Sequence, residues 1–224
     1  MELFIKTRIS KKKKVLVMIG VDSSGELDIL HPGYENCYCF EANPDRFNKL
    51  VAKYKSNTNI HLFNVAVADY DGEIEFNISK NNNGASSSVG NFNQEWLKEI
   101  DEEDVVMVDT IKVPCINLLN FFIKNNINWI DDYVSDIQGM DFHVLHTLEP
   151  LITERKIGTI RCEVTKDEYR NVYYDLPDNS FSTYQELLKK NYVLIAQGTG
   201  ILKDHVFDPI PEKCWEMDCK WMLN

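Results

Sequence analysis

The chain carries five apolar runs of strand length: Val15 to Ile19, Cys37 to Phe40, Ile60 to Phe63, Ile130 to Val134 and Ile157 to Val164. Their apolar residues are near-continuous rather than alternating, the pattern of strands covered on both faces of a parallel sheet. Helical spacing fills several of the intervals. Phe47, Leu50, Val51 and Tyr54 recur at steps of three and four within Pro44 to Lys55, and Asn43 supplies an N-cap before proline at the first helical position. Phe142, Leu145 and Leu148 repeat the pattern after Gly139, which predicts strand, short loop and helix in succession. Farther on, Tyr184 to Lys190 reads as a last helix and Tyr192 to Ala196 as the strand after it. Cys214 to Trp221 alternates bulky and polar residues, as a half-buried strand does, with Trp215 and Trp221 suited to core packing. Strands alternating with helices predict an α/β, doubly wound sheet whose ligands sit outside the carboxyl ends of the strands.

Two segments depart from this regularity. Asn81 to Asn91 is dense in turn formers and too polar to pack, so it reads as a mobile surface loop. Trp96 to Asp104 is acidic and shows no clear period. Neither a repeat nor a dividing linker is evident, and 224 residues with 44% hydrophobic content suit a single domain over 1–224.

The formal net charge of −11 argues against nucleic acid as a partner, because phosphate binding depends on clustered Lys and Arg. Lys11 to Lys14 reads as a solvated lead-in to the first strand. No run approaches the roughly 18 to 20 apolar residues of a membrane span, and no secretory apolar region stands at the N-terminus, so a cytoplasmic location is expected. Six cysteines lack the paired spacing of a zinc site and are expected as buried, reduced thiols.

The first strand runs into Gly20-Val-Asp-Ser-Ser-Gly25, where glycine lets backbone approach a ligand closely. The segment is not GxGxxG, so the dinucleotide fingerprint is missing, and a tight turn without a ligand fits equally well. Glu41 follows the second strand about 20 residues later, where an acid accepts hydrogen bonds from ribose hydroxyls. An exposed acid near a helix start is the alternative for that position.

The order of Gly20 to Gly25, Phe40-Glu-Ala-Asn-Pro44, Asn64-Val-Ala-Val-Ala-Asp-Tyr-Asp-Gly72, Ser86-Ser-Ser88 and Asp132-Tyr-Val-Ser-Asp-Ile-Gln-Gly139 resembles the FkbM family of S-adenosylmethionine-dependent O-methyltransferases. The resemblance covers roughly residues 15 to 165. It implies the class I methyltransferase fold, a Rossmann-like, doubly wound, mostly parallel seven-stranded sheet with helices on both faces. It also implies S-adenosyl-L-methionine as cofactor, held by Gly20, Asp22, Ser24, Gly25 and Glu41, with Ala68 and Asp69 near the adenine. The implied acceptor is a hydroxyl, on a small molecule or on a sugar or glycan. Met18 stands where relatives carry an acid, and Ser23-Ser24 lengthens the glycine loop by a residue.

Methyl transfer to oxygen requires positioning and removal of one proton, which a carboxylate or histidine can accept. Asp136 stands at the end of the fourth strand, and Gly139 and Asp141 follow within a turn. Two carboxylates this close can share a proton, hold acceptor hydroxyls or bind a divalent cation, and spacing does not choose among these. Asp141 also suits a helix N-cap. His143 and His146 share a helix face, and His143 is a candidate base. Glu163 ends the fifth strand, and family likeness makes it an acceptor-site candidate. Two other classes stay open: a non-catalytic Rossmann-like binding module, and a methyltransferase acting on nitrogen, against which stands the lack of an Asn/Asp-Pro-Pro-Tyr/Phe motif.

Overall fold

The computed structural model describes residues 14–22, 25–81, 84–100, 103–169 and 171–224. The first half contains β1 (Val15–Ile19), α1 (Glu26–Leu30), β2 (Asn36–Phe40), α2 (Pro44–Tyr54), β3 (Ile60–Phe63), β4 (Ala66–Ala68), β5 (Gly72–Ser79), β6 (Asn91–Phe92) and α3 (Gln94–Ile100). It continues through β7 (Met107–Asn117), α4 (Leu118–Lys124), β8 (Ile130–Ser135), α5 (Asp141–Thr147), α6 (Glu149–Thr153) and β9 (Ile157–Thr165). The last elements are β10 (Tyr173–Tyr174), α7 (Phe181–Leu188), β11 (Tyr192–Gly198) and β12 (Glu216–Leu223). The five strands expected from apolar runs therefore stand within one residue of their expected ends.

Seven strands form the main sheet in the order β11-β12-β9-β8-β1-β2-β3. The ladders from β9 to β3 are parallel, and β12 is antiparallel to both its neighbours. Successive side chains leave a strand on opposite faces, so each central strand serves two apolar layers. Val17 and Ile19 join Leu118 and Phe122 of α4, Leu145 of α5 and Tyr184 of α7 in one layer. Leu16 and Met18 join Leu27 of α1 and Leu50 of α2 in the other. This two-sided burial is why the strands read as unbroken apolar runs. α2 begins as expected, with the Asn43 side chain accepting from the Asp45 and Arg46 N–H groups.

From β1 the chain passes to β2 on one side and later reaches β8 on the other, which makes the carboxyl ends of β1 and β8 the switch point of the sheet. Gly20 and Asp136 meet there. A Cβ on Gly20 would lie 1.8 Å from the Asp136 carbonyl oxygen, and Gly20 has φ +72°. Glycine is thus required both by space and by backbone angle.

Smaller sheets wall this end of the molecule. β7 lies between β4 and β5, and β6 pairs with β10. The expectation of a mobile loop over Asn81 to Asn91 is corrected for its described residues. Ser87 and Ser88 are buried, and Ser88 exchanges backbone hydrogen bonds with Asn77 of β5 at 2.8 and 3.1 Å. The Ser87 hydroxyl accepts from Ser79 N–H at 3.0 Å and donates to the Gly84 carbonyl at 2.7 Å. Serine hydroxyls supply the partners that let so polar a segment lie against the fold. Trp96 to Asp104 opens as the second half of α3. Trp221 stacks on Tyr184 in the core, and Trp215 stacks on Tyr169 while donating to Glu99, so both tryptophans pack as expected. All six cysteines are free thiols, five of them buried.

Replacing Gly20 with Ala is expected to destabilise the fold by about 1 to 3 kcal/mol, the cost of overpacking together with a left-handed backbone. Urea unfolding of the two proteins, compared at constant m-value, measures it.

Candidate functional site

A cavity of about 320 Å³ opens at the switch point. Gly20 and Asp22 line it from the turn after β1, Glu41 from the tip of β2, and Asp136 from the tip of β8. Glu163 of β9 and Glu216 of β12 line the opposite wall. Phe76 of β5, Trp96 of α3 and Tyr173 of β10 add an aromatic side.

Glu41 is buried, and its two carboxylate oxygens hold two loops. One accepts from Asp22 N–H at 3.0 Å and the other from Asn43 N–H at 2.8 Å. Burial pushes this carboxyl up to about 7, against the pull of the Asn43 N–H and with the Asp136 charge adding to the rise. Arg46, in the first turn of α2, pairs with Asp22 and also lines the cavity. Asp22 has φ 45°, a left-handed conformation that Asp tolerates better than most residues.

Asp136 stays open to solvent, yet protein crowds it closely enough for desolvation to raise its pKa. The Gln138 amide, donating to Oδ1 at 2.5 Å, and the positive charge of Arg161 oppose that rise. The same amide nitrogen reaches Glu163 Oε2 at 3.2 Å, and the Tyr173 hydroxyl donates to the Gln138 side-chain carbonyl. Gln138 itself has φ 58°, held there because Ser88 Oγ donates to its backbone carbonyl at 2.7 Å. Burial raises the Glu163 carboxyl well above the carboxylate range, and the charges of Glu216 and Asp136 add to it.

The cavity therefore joins five of the residues expected from sequence: Gly20, Asp22, Glu41, Asp136 and Glu163. Ser24 lies outside the described residues. Gly25 precedes α1 in a left-handed conformation and does not line the cavity. Ala68 is buried in a small core with Phe76 and Cys115, while Val65, Ala66 and Val67 face the cavity in its stead. Asp69 pairs with His143 at 3.2 Å outside the cavity, and His146 pairs with Glu149 at 3.7 Å.

Asp141 is fully buried and turned away from the cavity. Its carboxylate accepts from Ser135 Oγ at 2.5 Å and from Ile137 N–H at 3.1 Å, and it makes no side-chain cap on α5. It braces the turn that carries Asp136, with its own carboxyl raised by burial to about 7. Met18, in the position where relatives carry an acid, packs between α1 and α2 and takes no part in the wall.

Sequence reasoning missed Arg46, Gln138, Tyr173 and Glu216. Gln138 stands inside the Asp-Ile-Gln-Gly segment itself, between two residues that were weighed. Glu216 is a polar position of the alternating C-terminal strand, whose bulky tryptophans carry its sequence signal. Tyr173 belongs to a two-residue strand with no period to reveal it. Among the described residues, no three His, Cys, Asp or Glu side chains are arranged to hold a metal ion, and no helix is long and apolar enough to cross a membrane.

The family model for the Methyltransferase FkbM domain matches residues 26–194. Among solved structures, the methyltransferase FkbM from Methylobacillus flagellatus KT is similar at 10% identity and a TM-score of 0.51, over 98% of this chain and 46% of that one. TrmK from M. capricolum, solved with S-adenosyl-homocysteine, has 11% identity and a TM-score of 0.42, over 94% of this chain and 62% of that one. The chain thus spans less than half the length of the first of these and under two thirds of the second. No curated protein matches it. The sheet order, with its antiparallel strand beside the parallel ones, is that of the class I S-adenosylmethionine-dependent methyltransferases. With the family match extending over well more than half of its length, the chain belongs to the methyltransferase FkbM domain family.

Proposed function

We propose that the protein is an S-adenosylmethionine-dependent O-methyltransferase acting on a hydroxyl of a sugar or glycan. One observation carries this function: the glycine turn, the Glu41 carboxylate and the acids of β8 and β9 converge on a single cavity at the switch point of the sheet.

The residues present suit the cofactor. Gly20 lets the turn after β1 close against the Asp136 backbone beside the cavity, and Glu41 offers a buried acid with oxygen lone pairs beyond those used by Asp22 and Asn43. S-adenosylmethionine supplies an electrophilic methyl group on a sulfonium. Glu41 would accept hydrogen bonds from its ribose hydroxyls, and Val65 to Val67 would face its base. On the other side, Asp136 is placed to take the acceptor's hydroxyl proton at its carboxylate. Gln138 fixes the direction of that carboxylate, and Tyr173 fixes Gln138. Asp141 acts as a positioning residue through the turn, and Glu163 meets the acceptor.

Asp136→Asn is expected to retain S-adenosylhomocysteine affinity and to lose about 100-fold or more of the transfer rate, the usual contribution of a positioned base. Labelled S-adenosylmethionine supplied with a panel of free sugars, glycans and small hydroxylated acceptors tests both the activity and its acceptor class. Normal turnover by the variant would remove Asp136 from its role. Replacing Glu41 with Ala should weaken cofactor affinity by about 1 to 3 kcal/mol through lost hydrogen bonds to a charged group. Because the ionised form of Glu41 is the better acceptor, wild-type affinity should climb from about pH 6 to about pH 8 as the raised carboxyl deprotonates. Calorimetric titration with S-adenosylhomocysteine reads both effects, and a flat profile that is unchanged in Glu41→Ala places ribose recognition elsewhere.

A further inference from the structure

The wall formed by β9 and β12 carries more acid than a proton-transfer site requires. Arg161, Glu163, Glu216 and Asp218 share one face of this antiparallel pair, with Glu163 opposite Asp218 and Glu216 diagonal to Glu163. Arg161 is committed to a buried ion pair with Glu26 at the start of α1. The donors nearer the cavity are also spent: the Gln138 amide serves Asp136 and Glu163, and the Tyr173 hydroxyl serves Gln138. Glu216 lines the cavity, and its Oε1 is a buried atom without a hydrogen-bond partner. A buried oxygen left unpaired costs free energy, and such an atom in a native fold calls for an explanation. Thr165, opposite Glu216 on β9, also keeps its hydroxyl unpartnered, and the cavity that Glu216 lines is where a partner for its carboxyl would arrive.

We propose that Glu216, with Glu163 beside it, is the acceptor-recognition wall of the cavity and selects an uncharged, polyhydroxylated ring while rejecting anionic acceptors. The proposal rests on the cavity being the methyl-transfer site and adds the means by which the acceptor is chosen. A hydroxyl in the cavity pairs with the Glu216 carboxyl, and the apolar sides of Phe76, Trp96 and Val172 suit the carbon face of a sugar ring. Burial pushes the Glu216 carboxyl up to about 8, with the charges of Asp136, Asp141 and Asp218 adding to the rise. At neutral pH it thus holds a proton and can both donate to and accept from neighbouring hydroxyls. An anionic ring would set its charge beside Asp136, and the cations at hand are already paired, Arg46 of the cavity lining with Asp22 and Arg161 with Glu26.

The test measures binding of phenyl β-D-glucoside and of phenyl β-D-glucuronide to the full chain, with and without S-adenosylhomocysteine, by saturation-transfer NMR. The glucoside should bind and the glucuronide should be weaker by about tenfold or more, the scale of one misplaced charge in a desolvated site. Glu216→Ala should weaken the glucoside by about tenfold, whereas Glu216→Gln, which keeps a neutral donor and acceptor, should stay within about threefold of wild type. Neither change should alter S-adenosylhomocysteine affinity. Equal binding of the two glycosides, an unchanged Glu216→Ala variant, a Gln variant as weak as the Ala variant, or no glucoside binding at all overturns the proposal. The expected glycoside pattern in a protein with no affinity for S-adenosylhomocysteine keeps the wall and removes the methyl-transfer function.

Discussion

The contact between Gly20 and the backbone carbonyl of Asp136 sets the scale of everything at the carboxyl end of the sheet. β1 and β8 are hydrogen-bonded neighbours up to Ile19 and Ser135, and beyond those residues the two chains must part to follow different helices. They part around an atom pair that tolerates no side chain. The turn after β1 therefore lies close against the turn after β8, and the cavity forms in front of both rather than between them. Glu41 completes the arrangement from β2 by tying the Asp22 and Asn43 backbones together, so three strand tips act as one rigid rim.

Charge is distributed unevenly around that rim. Desolvation raises Asp136, Glu41, Glu163 and Glu216 alike, but Asp136 faces solvent, and the Gln138 amide and the Arg161 charge oppose its rise. Pushing neighbouring carboxyls toward different protonation states is a general way for one site to hold both a base and neutral hydrogen-bonding groups. The strand order produces this division. Residues two apart on β9 and β12 face the same side, so Glu163, Glu216 and Asp218 crowd one another and hold their protons more firmly.

Much of this was legible in the residues. β1, β2, β3, β8 and β9 are buried on both faces, and such strands announce themselves as apolar runs. The small sheet of β4, β7 and β5 was not legible. β4 is three small or β-branched residues, and Pro114 within β7 argues against a strand. β4 pairs only with Cys115 to Asn117, so on that side β7 is an edge up to Pro114 and the proline is tolerated. The glycine- and serine-rich stretch after Asn81 reads as a loop because composition reports how a backbone bends, not what covers it. Asp141 shows the same limit. Its place at a helix start suggested a cap or a catalytic acid, and only the folded turn reveals that Ser135 and Ile137 claim its carboxylate.

The hydrogen bond from Ser88 to the Gln138 carbonyl has a mechanical meaning beyond holding a segment in place. Ser88 is locked to β5 through Asn77, and Gln138 directs Asp136 through its side chain. Two side chains therefore connect the β5 edge to the carboxylate at the tip of β8 on the main sheet. The mouth of the cavity and the aim of its acid are thus joined by one chain of hydrogen bonds.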